Sequence, residues 1–535
     1  MKQESETVPE SEHLETEIPE PPKTEIELKF EVRPEHMMRL KRAPWVKAAM
    51  DGPAKVKTLN ARYFDTPDLK LRRKGLYLRV RKEGRDYVQC VKARESGDAG
   101  AFARLEWESV VPRGHPDPTL VTDDKGRTLL PIKDSAELEE VFESRVRRSQ
   151  RRLTPDSDSA ISLDLDVGEI ASGSKSEPIC EAELEVISGD RRHLFDVALQ
   201  LLDEVPARLV ADTKADRGYA LYSGGPPDWC KAEPLLLDRG VTAEDALARM
   251  VMNCIDHMRR NEACVLARAD DEGVHQMRVA TRRLRSSLAI YKRLLPAEQQ
   301  GHLIAELKWL IGELGPARDW DVFLSDVLGA VVRGHPGDPD LAALRKTAEA
   351  RRDECYEAAQ AATRARRYTA LLLRLGAWIE GRGWRSINRP EDSALLYGPV
   401  ENLADVLLRK RHKKVLREGK GFESMAPEER HALRIQIKKL RYASEFLGSL
   451  YPRKRVTRFV GALRDLQDGL GLLNDLAVAR RLMAELTVGV RGKRVAQLHF
   501  AAGLVAGWHT HLIEARDRSM VKAWNAFATQ KPFWR

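Results

Sequence analysis

Apolar and polar residues alternate along several segments of the first 222 residues. Strict alternation predicts a β-strand with one buried face, because successive side chains of a strand point to opposite sides. The alternating segments are separated by Gly, Pro, Asp or Ser, and they read TEIELKFEV, GLYLRVRKE, DYVQCVKAR, ARLEWESVV, AISLDLDVGEI and ICEAELEVI. Two further segments, near 134–144 and 191–204, carry a helical pattern. This part of the chain is therefore predicted to be rich in strands, with two helices.

The rest of the chain changes to the 3.6-residue apolar period of amphipathic helices, as in AEDALARMVMNCIDHMRRN and APEERHALRIQIKKLRYASEFLGSL. Between the two patterns lies SGGPPDWCKAEP, whose Gly and Pro content is typical of a linker. We therefore expect a strand-rich domain at 24–222, a linker at 223–237 and an all-helical domain of bundles at 238–525. Residues 1–23 hold seven Glu and no aromatic residue, which predicts a disordered acidic tail.

Composition narrows the class of protein. The 535 residues are 42% apolar and 32% charged, which is typical of a soluble globular protein. The sequence contains no run of 18 apolar residues, the length that would indicate a membrane span, and its N-terminus lacks the features of a signal peptide. The six Cys form no CxxC pair and no His-Cys metal spacing, so we expect reduced thiols in a cytoplasmic protein.

Charge is distributed unequally between the two parts of the chain. Residues 235–535 carry 52 Lys and Arg against 36 Asp and Glu, a balance of +16, whereas residues 1–234 carry 38 against 45, a balance of −7. A basic half favours a polyanionic partner. Nucleic acid is the less favoured polyanion, because no aromatic residues interleave with the basic ones and no helix-turn-helix or zinc-finger spacing is present.

Acidic and basic residues share faces of the predicted strands. In EIELK, Glu25, Glu27 and Lys29 recur at every second position and therefore point to one side of the strand. Buried carboxylates beside a lysine are costly unless something binds them, and a divalent cation facing an anionic substrate would satisfy both signs. The arrangement recurs at Arg79 and Arg81, at Lys92 and Arg94, at Arg104, Glu106 and Glu108, at Asp164 and Asp166, and at Glu181, Glu183 and Glu185.

Alternating charge is also what the solvated face of an antiparallel sheet displays. A solvated face mixes its signs, whereas here carboxylate pairs and Arg/Lys pairs largely occupy different strands. This segregation favours a site for a metal ion and a phosphate chain. No GxxxxGK[ST] motif occurs, which excludes a P-loop mechanism.

The segments EIELKF, RYFDTPD, LYLRVRKEG, ICEAELEVISGD and KADRGYALY, in this order, resemble the CYTH domain, the triphosphate tunnel metalloenzyme family. The family's ExExK hallmark is present as Glu25, Glu27 and Lys29, and the resemblance covers about residues 24–222. It implies an α+β multidomain protein whose N-terminal domain is an eight-stranded antiparallel β-barrel. The lumen of such a barrel binds triphosphate through Arg and Lys, and Mg²⁺ or Mn²⁺ through carboxylates.

The resemblance also implies roles for individual residues. Phosphate contacts are expected from Lys29, Arg79, Arg81, Lys92, Arg104, Lys214 and Arg217. Metal ligands are expected at Glu25, Glu27, Glu181, Glu183 and Asp166, with Glu106 and Glu108 as further acidic candidates. The choice between Asp164 and Asp166 stays open, and so does the identity of a general base. The chemistry implied is metal-assisted hydrolysis of a phosphoanhydride.

An internal repeat runs through the helical part. VHQMRVATRRLRSSL recurs 156 residues later as RHALRIQIKKLRYAS, and the same displacement maps Asp319 onto Asp475. Two copies of one helical unit are therefore predicted, at about 240–390 and 400–530. In a helix, four residues of each copy fall within about 80° of one another. These stripes are His275, Arg278, Arg282 and Arg285 in the first copy, and His431, Arg434, Lys438 and Arg441 in the second.

A row of cations suits a chain of phosphates, with each His adding charge as pH falls. Two other interpretations stay open: the His could be core residues, and the stripes could form buried ion pairs with Asp319 and Asp475. VHQMRVATRRLR, RHALRIQIKKLRY, LGPARDWDVFL and LGLLNDLAVARRL resemble the CHAD domain, the conserved-histidine α-helical domain. That resemblance implies two pseudo-symmetric helical bundles around a basic cleft that binds polyphosphate.

We therefore predict a metal-dependent triphosphatase that cleaves inorganic triphosphate to pyrophosphate and phosphate, joined to a module that binds long-chain polyphosphate. The expected location is the cytoplasm, with association to polyphosphate granules. Two alternatives remain: a non-catalytic polyphosphate-binding scaffold, and a tunnel enzyme for thiamine triphosphate or nucleoside triphosphates, including an adenylate cyclase.

Overall fold

The computed structural model of the chain describes residues 23–94, 103–132, 134–386, 390–488 and 490–534. It describes the backbone alone at 23–25, 94, 103–104, 386, 390–391, 472–473 and 511–517. The acidic tail predicted at 1–23 lies outside the described residues, apart from its last residue.

An antiparallel sheet forms the N-terminal part, and its strands in the described ranges follow the order β5-β4-β3-β2-β6-β7-β8-β1-β9. β1 pairs with β5 as well as with β8, so the order returns on itself through eight strands and encloses a tunnel. The strands are β1 (Lys23–Val32), β2 (Lys55–Asp65), β3 (Leu76–Glu83), β4 (Asp86–Arg94), β5 (Ala103–Val111), β6 (Glu139–Leu153), β7 (Ala160–Ser172), β8 (Lys175–Ser188) and β9 (Ala207–Leu209).

The helix predicted near 134–144 is wrong, whereas the helix predicted at 191–204 is present. Only a short 3₁₀ turn occupies Ser135–Glu137, and the long strand β6 begins at Glu139. β6 pairs with β2 on one side and β7 on the other along most of its length. Its tunnel face includes Ser144, Arg148 and Gln150, so the sequence lacks the apolar alternation that identifies a strand, and tertiary pairing overrides the local pattern.

Short helices cover the outside and one end of the tunnel. These are α1 (Pro34–Arg42), α2 (Pro44–Ala49), α3 (Lys70–Arg73), α4 (Asp124–Leu129), α5 (Arg192–Glu204) and α6 (Lys214–Ser223). α6 packs against β6 and β7, and its Tyr219 lies edge-on to Phe142 of β6. α6 can approach this closely because residue 218 is Gly: a Cβ there would lie 2.1 Å from the Phe142 ring.

The second part of the described chain is helical, with the repeat visible as matched helices. Its helices are α7 (Ala243–Arg259), α8 (Glu262–Ala267), α9 (Asp271–Ile290), α10 (Ala297–Val322), α11 (Gly329–Gly334), α12 (Pro339–Arg364), α13 (Arg366–Glu380), α14 (Pro390–Tyr397), α15 (Val400–Glu418), α16 (Pro427–Leu447), α17 (Arg453–Thr487) and α18 (Lys493–Thr529). α7, α9, α10 and α12 correspond in order to α15, α16, α17 and α18, as the repeat predicts. A membrane-spanning helix needs about 20 mainly apolar residues. None of the helices in the described ranges is both long enough and apolar enough to span a membrane.

A continuous apolar core joins the two parts. Leu28 of β1, Phe195 of α5 and Leu372 of α13 belong to one cluster of buried side chains. Phe195 packs directly over Gly376 of α13, where a Cβ would lie 2.1 Å from the ring. The tunnel therefore rests on the helical part through a packed interface and not only through the connecting segment.

Candidate functional site

The tunnel wall formed by β7 and β8 carries a set of buried carboxylates. Asp164 lies opposite Glu183, and Asp166 lies opposite Glu181, in the antiparallel register of the two strands. The alternate residues, including Leu165, face the apolar core, which fixes the carboxylates on the tunnel side. All four are nearly inaccessible, from 0% exposed for Asp166 to 8% for Glu183.

Lys214, the first residue of α6, lies at the centre of these carboxylates. Its Nζ is 2.7 Å from Glu183 Oε1 and 2.9 Å from both Asp166 Oδ2 and Glu181 Oε2. From the opposite side, Lys29 Nζ of β1 is 3.0 Å from Glu183 Oε1 and 3.2 Å from Glu27 Oε1. The buried charges are therefore compensated by neighbouring charges of opposite sign.

Arg148 of β6 is the third cation of this network, and sequence reasoning missed it. Its guanidinium donates to Asp166 at 2.6 and 2.8 Å, to Asp164 at 2.5 Å, and also to Glu183. The signal available in the sequence is the basic run RVRRSQRR, which directly follows the segment predicted to be helical near 134–144.

Arg217 lies one helical turn beyond Lys214 and reaches β8 nearer the tunnel end. It is 2.6 Å from both Glu177 Oε1 and Glu181 Oε1. Glu181 is therefore paired with two cations of α6: its Oε1 accepts from Arg217, and its Oε2 lies 2.9 Å from Lys214 Nζ without a hydrogen bond of good geometry. This buried oxygen retains a lone pair for a further ligand.

The network of buried charges shifts the pKa values of its own members. Burial opposes the charge of Glu183, but Lys214, Lys29 and Arg148 together hold its pKa well below the usual range. Burial likewise opposes the charge of Lys214, whose pKa is nevertheless raised well above normal by its three carboxylates. Asp164 differs, because burial outweighs Arg148 and raises its pKa.

The opposite wall, formed by β3, β4 and β5, is mainly basic. Glu106 Oε1 lies 3.4 Å from Lys92 Nζ and 3.7 Å from Arg79 Nη2, and it accepts a hydrogen bond from Cys90 Sγ at 2.9 Å. Burial raises the pKa of the Cys90 thiol to about 12. Glu108 completes a group in which the Cys90, Glu106 and Glu108 ligand atoms lie within 4.8 Å of one another.

Both walls face one cavity, so most of the predicted tunnel residues come together. The cavity is lined by Glu27, Lys29, Tyr63, Tyr77, Arg79, Arg81, Cys90, Lys92, Arg148, Asp164, Glu183, Glu185, Thr213, Lys214 and Ala215. Asp166, Glu181 and Arg217 lie directly behind this lining, and Arg81 is paired with Glu83. The side chains of Glu25 and Arg104, which were also predicted here, lie outside the described residues.

The two predicted stripes of the helical part face each other. α9 packs against α16. The pKa values of Arg434 and Lys438 are lowered mainly by burial and further by Arg282 of α9. We use the name cationic cluster for the facing residues His275, Arg278, Arg282, Arg318, Arg434 and Lys438. Arg318, on α10, was missed by the sequence analysis because residue 474, its counterpart in the repeat, is Asn.

Burial and nearby cations lower the pKa values of four members of the cationic cluster: His275, Arg278, Arg434 and Lys438. Burial first, and then Arg318, Arg282 and Arg278, lower the pKa of His275 to about 4, so this histidine is neutral near pH 7. Burial, Arg434 and Arg282 lower the pKa of Lys438 to about 7. Such a concentration of cations is costly without an anion and favours binding one.

The alternative of ion pairs with Asp319 and Asp475 applies to Arg278, which is 3.3 Å from Asp319 and also donates to the Gly315 carbonyl. Arg441 pairs with a different acid, Glu445, at 2.7 Å. Among the described residues, Arg282, Arg434 and Lys438 form no ion pair within 4.0 Å. The repeat predicts that His275 and His431 are equivalent, but their surroundings differ, because His275 is half-buried and His431 is exposed.

Comparison with known proteins agrees with this division. The CYTH domain family matches residues 23–219 and the CHAD domain family matches residues 249–484. An inorganic triphosphatase of Haemophilus influenzae is 29% identical over 164 residues, which are 30% of this chain and 45% of that protein. The chain thus spans less than half of that relative's length.

Two solved structures each match a share of the chain. The crystal structure of the CHAD domain from the plant Ricinus communis is 30% identical, with coverage of 57% of this chain and 98% of that chain and a TM-score of 0.48. A putative adenylyl cyclase from Hippeastrum, described as revealing a dominant triphosphatase activity, is 18% identical, with coverage of 37% and 96% and a TM-score of 0.28.

Proposed function

The chain carries a CYTH domain followed by a CHAD domain, and we propose that its tunnel hydrolyses inorganic triphosphate to pyrophosphate and phosphate with Mg²⁺ or Mn²⁺. The observation that carries this proposal is the composition of the tunnel. One wall combines four buried carboxylates with Lys29, Lys214 and Arg148, and the facing wall presents Arg79 and Lys92. A phosphate chain and a divalent cation together match both signs of charge.

The acidic wall fits a hard divalent cation. Its donors are carboxylate oxygens, the ligands that Mg²⁺ and Mn²⁺ prefer, and Glu181 Oε2 is buried beside Lys214 without a hydrogen bond of good geometry. Glu27, Glu181, Glu183 and Asp166 would hold the ion, and Glu25 belongs to the same predicted set. When bound, the ion would supply charge neutralisation and a polarised water for attack on phosphorus.

The residues of the tunnel would exchange partners when substrate enters. Lys29 and Lys214 now neutralise Glu183, and with substrate bound these ammonium groups would turn to phosphate oxygens. Arg79 and Lys92 would hold the chain from the opposite wall. Water would form a new P–O bond at the terminal phosphorus as the bond to the leaving pyrophosphate breaks, and the surrounding cations would stabilise the charge that develops on the pyrophosphate.

The test of the tunnel proposal is phosphate release from tripolyphosphate by the purified full chain with Mg²⁺ or Mn²⁺. Glu27→Gln should abolish release. Glu31→Gln is a control on the same strand, because Glu31 is exposed, pairs with Arg208 and does not line the cavity. If thiamine triphosphate or ATP is hydrolysed in preference to tripolyphosphate, the preferred compound is the substrate instead of inorganic triphosphate. If no triphosphate is hydrolysed but polyphosphate binding is retained, the protein is the non-catalytic polyphosphate-binding scaffold of the alternative hypothesis.

For the helical domain we propose binding of long-chain polyphosphate at the cationic cluster, which would associate the protein with polyphosphate granules. Two observations support this proposal. The basic stripes of the two repeats face each other, and Arg282, Arg434 and Lys438 form no ion pair with another described residue. Arg282→Gln combined with Arg434→Gln should weaken polyphosphate binding and reduce its dependence on salt. A double variant that binds polyphosphate like the wild type would contradict this assignment.

A further inference from the structure

A four-residue segment of the tunnel domain is held by the helical domain. It joins β9, which pairs with β1 beside Lys29, to α6, which begins at Lys214. Both lysines contact Glu183 in the tunnel, at 3.0 and 2.7 Å. The path of this short segment therefore determines how two tunnel cations lie relative to each other.

Val210 is the residue at which the segment is anchored. Its N–H donates to the carbonyl of Lys29 at 2.9 Å, and its own carbonyl accepts from Arg259 Nη2 at 2.8 Å. Three residues later, Thr213 forms a capping box with Asp216 that starts α6. Val210 is thus fixed on one side to the strand that carries Lys29 and on the other to the last residue of α7.

Arg259 is built into the interface rather than placed on the surface. It is 7% exposed, and Glu262 of α8 lies beside it, accepting a hydrogen bond from Tyr368 at 2.6 Å. Glu262 also lies 4.0 Å from Arg208 of β9. A buried guanidinium that donates to a carbonyl forms a charge-assisted hydrogen bond, which holds its acceptor more firmly than a neutral donor would.

We infer that Arg259 is a positioning residue for the tunnel, contributed by the helical domain, which acts through Val210 on Lys29 and Lys214. This inference rests on the proposed function. Arg259 does not line the tunnel cavity, so it acts on geometry and not on substrate directly. Displacement of about 1 Å at a reacting centre can reduce a rate by orders of magnitude, so a loose anchor here affects catalysis.

The experiment compares Arg259→Met, Arg259→Lys and Arg366→Met in the full chain. Arg366 is the matched control, because it crosses the same interface and donates to the Leu202 carbonyl on α5, away from the tunnel lysines. The readouts are kcat and KM for tripolyphosphate, calorimetric binding of tripolyphosphate in EDTA, binding of long-chain polyphosphate, and the melting temperature.

Arg259→Met should lower kcat/KM by about tenfold and weaken tripolyphosphate binding in EDTA, with polyphosphate binding unchanged. Arg259→Lys keeps a charged donor and should fall between Arg259→Met and the wild type, which also covers the case in which the Met variant does not fold. Arg366→Met should retain wild-type values. Wild-type kcat/KM and binding in both Arg259 variants would overturn the inference while the proposed function stands. A wild-type chain that neither binds nor hydrolyses tripolyphosphate would overturn the proposed function and this inference with it.

Discussion

Arg148 and Asp166 form a two-point ion pair across neighbouring strands, with Nε 2.8 Å from Oδ1 and Nη2 2.6 Å from Oδ2. The carboxylate of Asp166 is fully buried, and the same guanidinium also reaches Asp164 and Glu183. One arginine therefore compensates three carboxylates from two strands. Burial opposes its charge, but these carboxylates raise the pKa of Arg148 well above normal.

Removal of Arg148 should destabilise the fold as well as the site. In Arg148→Gln the three carboxylates lose a shared partner in a buried setting, and breaking such a network costs about 3 kcal/mol or more in the free energy of unfolding. Denaturant unfolding measures this loss, and tripolyphosphate hydrolysis should fall with it. Arg145→Gln is the control on the same strand, because Arg145 is exposed and pairs only with Glu143 among the described residues. Equal stability of the two variants would contradict the prediction.

The tunnel strands could be predicted where one face is apolar. In β7 and β8, Leu163, Leu165 and Leu184 alternate with the carboxylates, so the period of two is visible in the sequence. β6 lacks this contrast, because polar residues line its tunnel face and Arg151 is buried on its other face. Its conformation depends on pairing with β2 and β7, which local sequence does not encode.

The repeat predicted which basic residues face each other but not how they differ. A constant displacement of 156 residues identifies His275 with His431. In the structure His275 is half-buried near Arg318, whereas His431 is exposed, and the position that corresponds to Arg318 is Asn474. Such asymmetry arises from tertiary packing around each copy and is not a property of the repeated motif.

His275 should make stability depend on pH in the acidic range. Burial and three arginines lower its pKa to about 4, whereas an unfolded histidine titrates near 6.5. Between these values the unfolded chain binds more protons than the folded chain, so the folded state loses stability as pH falls from about 6.5 to 4. In His275→Gln this loss should be smaller, as measured by the difference in free energy of unfolding between pH 7 and pH 5. His431→Gln, at the matching exposed position, should not reproduce the difference.

Lys438 should take up a proton when polyphosphate binds. Burial, Arg434 and Arg282 lower its pKa to about 7, so most of the population is neutral at pH 8. A bound phosphate chain favours the ammonium form, so binding at pH 8 should consume protons and affinity should fall as pH rises above about 7. Calorimetry in two buffers with different ionisation enthalpies measures the uptake. Lys438→Met should abolish it, whereas Lys413→Met, which changes an exposed lysine of α15, should not. Unchanged uptake in Lys438→Met would assign the proton to another group.

Gly376 should be essential to the packing of the tunnel on the helical domain. A Cβ at this position would lie 2.1 Å from the Phe195 ring, so Gly376→Ala forces α5 and α13 apart and should cost about 1–3 kcal/mol in stability. Gly312→Ala is the matched control, because position 312 is also inside a helix but has no heavy atom within 4 Å of its would-be Cβ. Alanine is the better helix former, so this control should be neutral or stabilising by up to about 1 kcal/mol. Reducing the ring in Phe195→Leu should recover part of the loss in the Gly376→Ala background, and a double-mutant cycle measures that coupling. Additive effects of the two substitutions would show that the contact between Phe195 and Gly376 does not determine the interface.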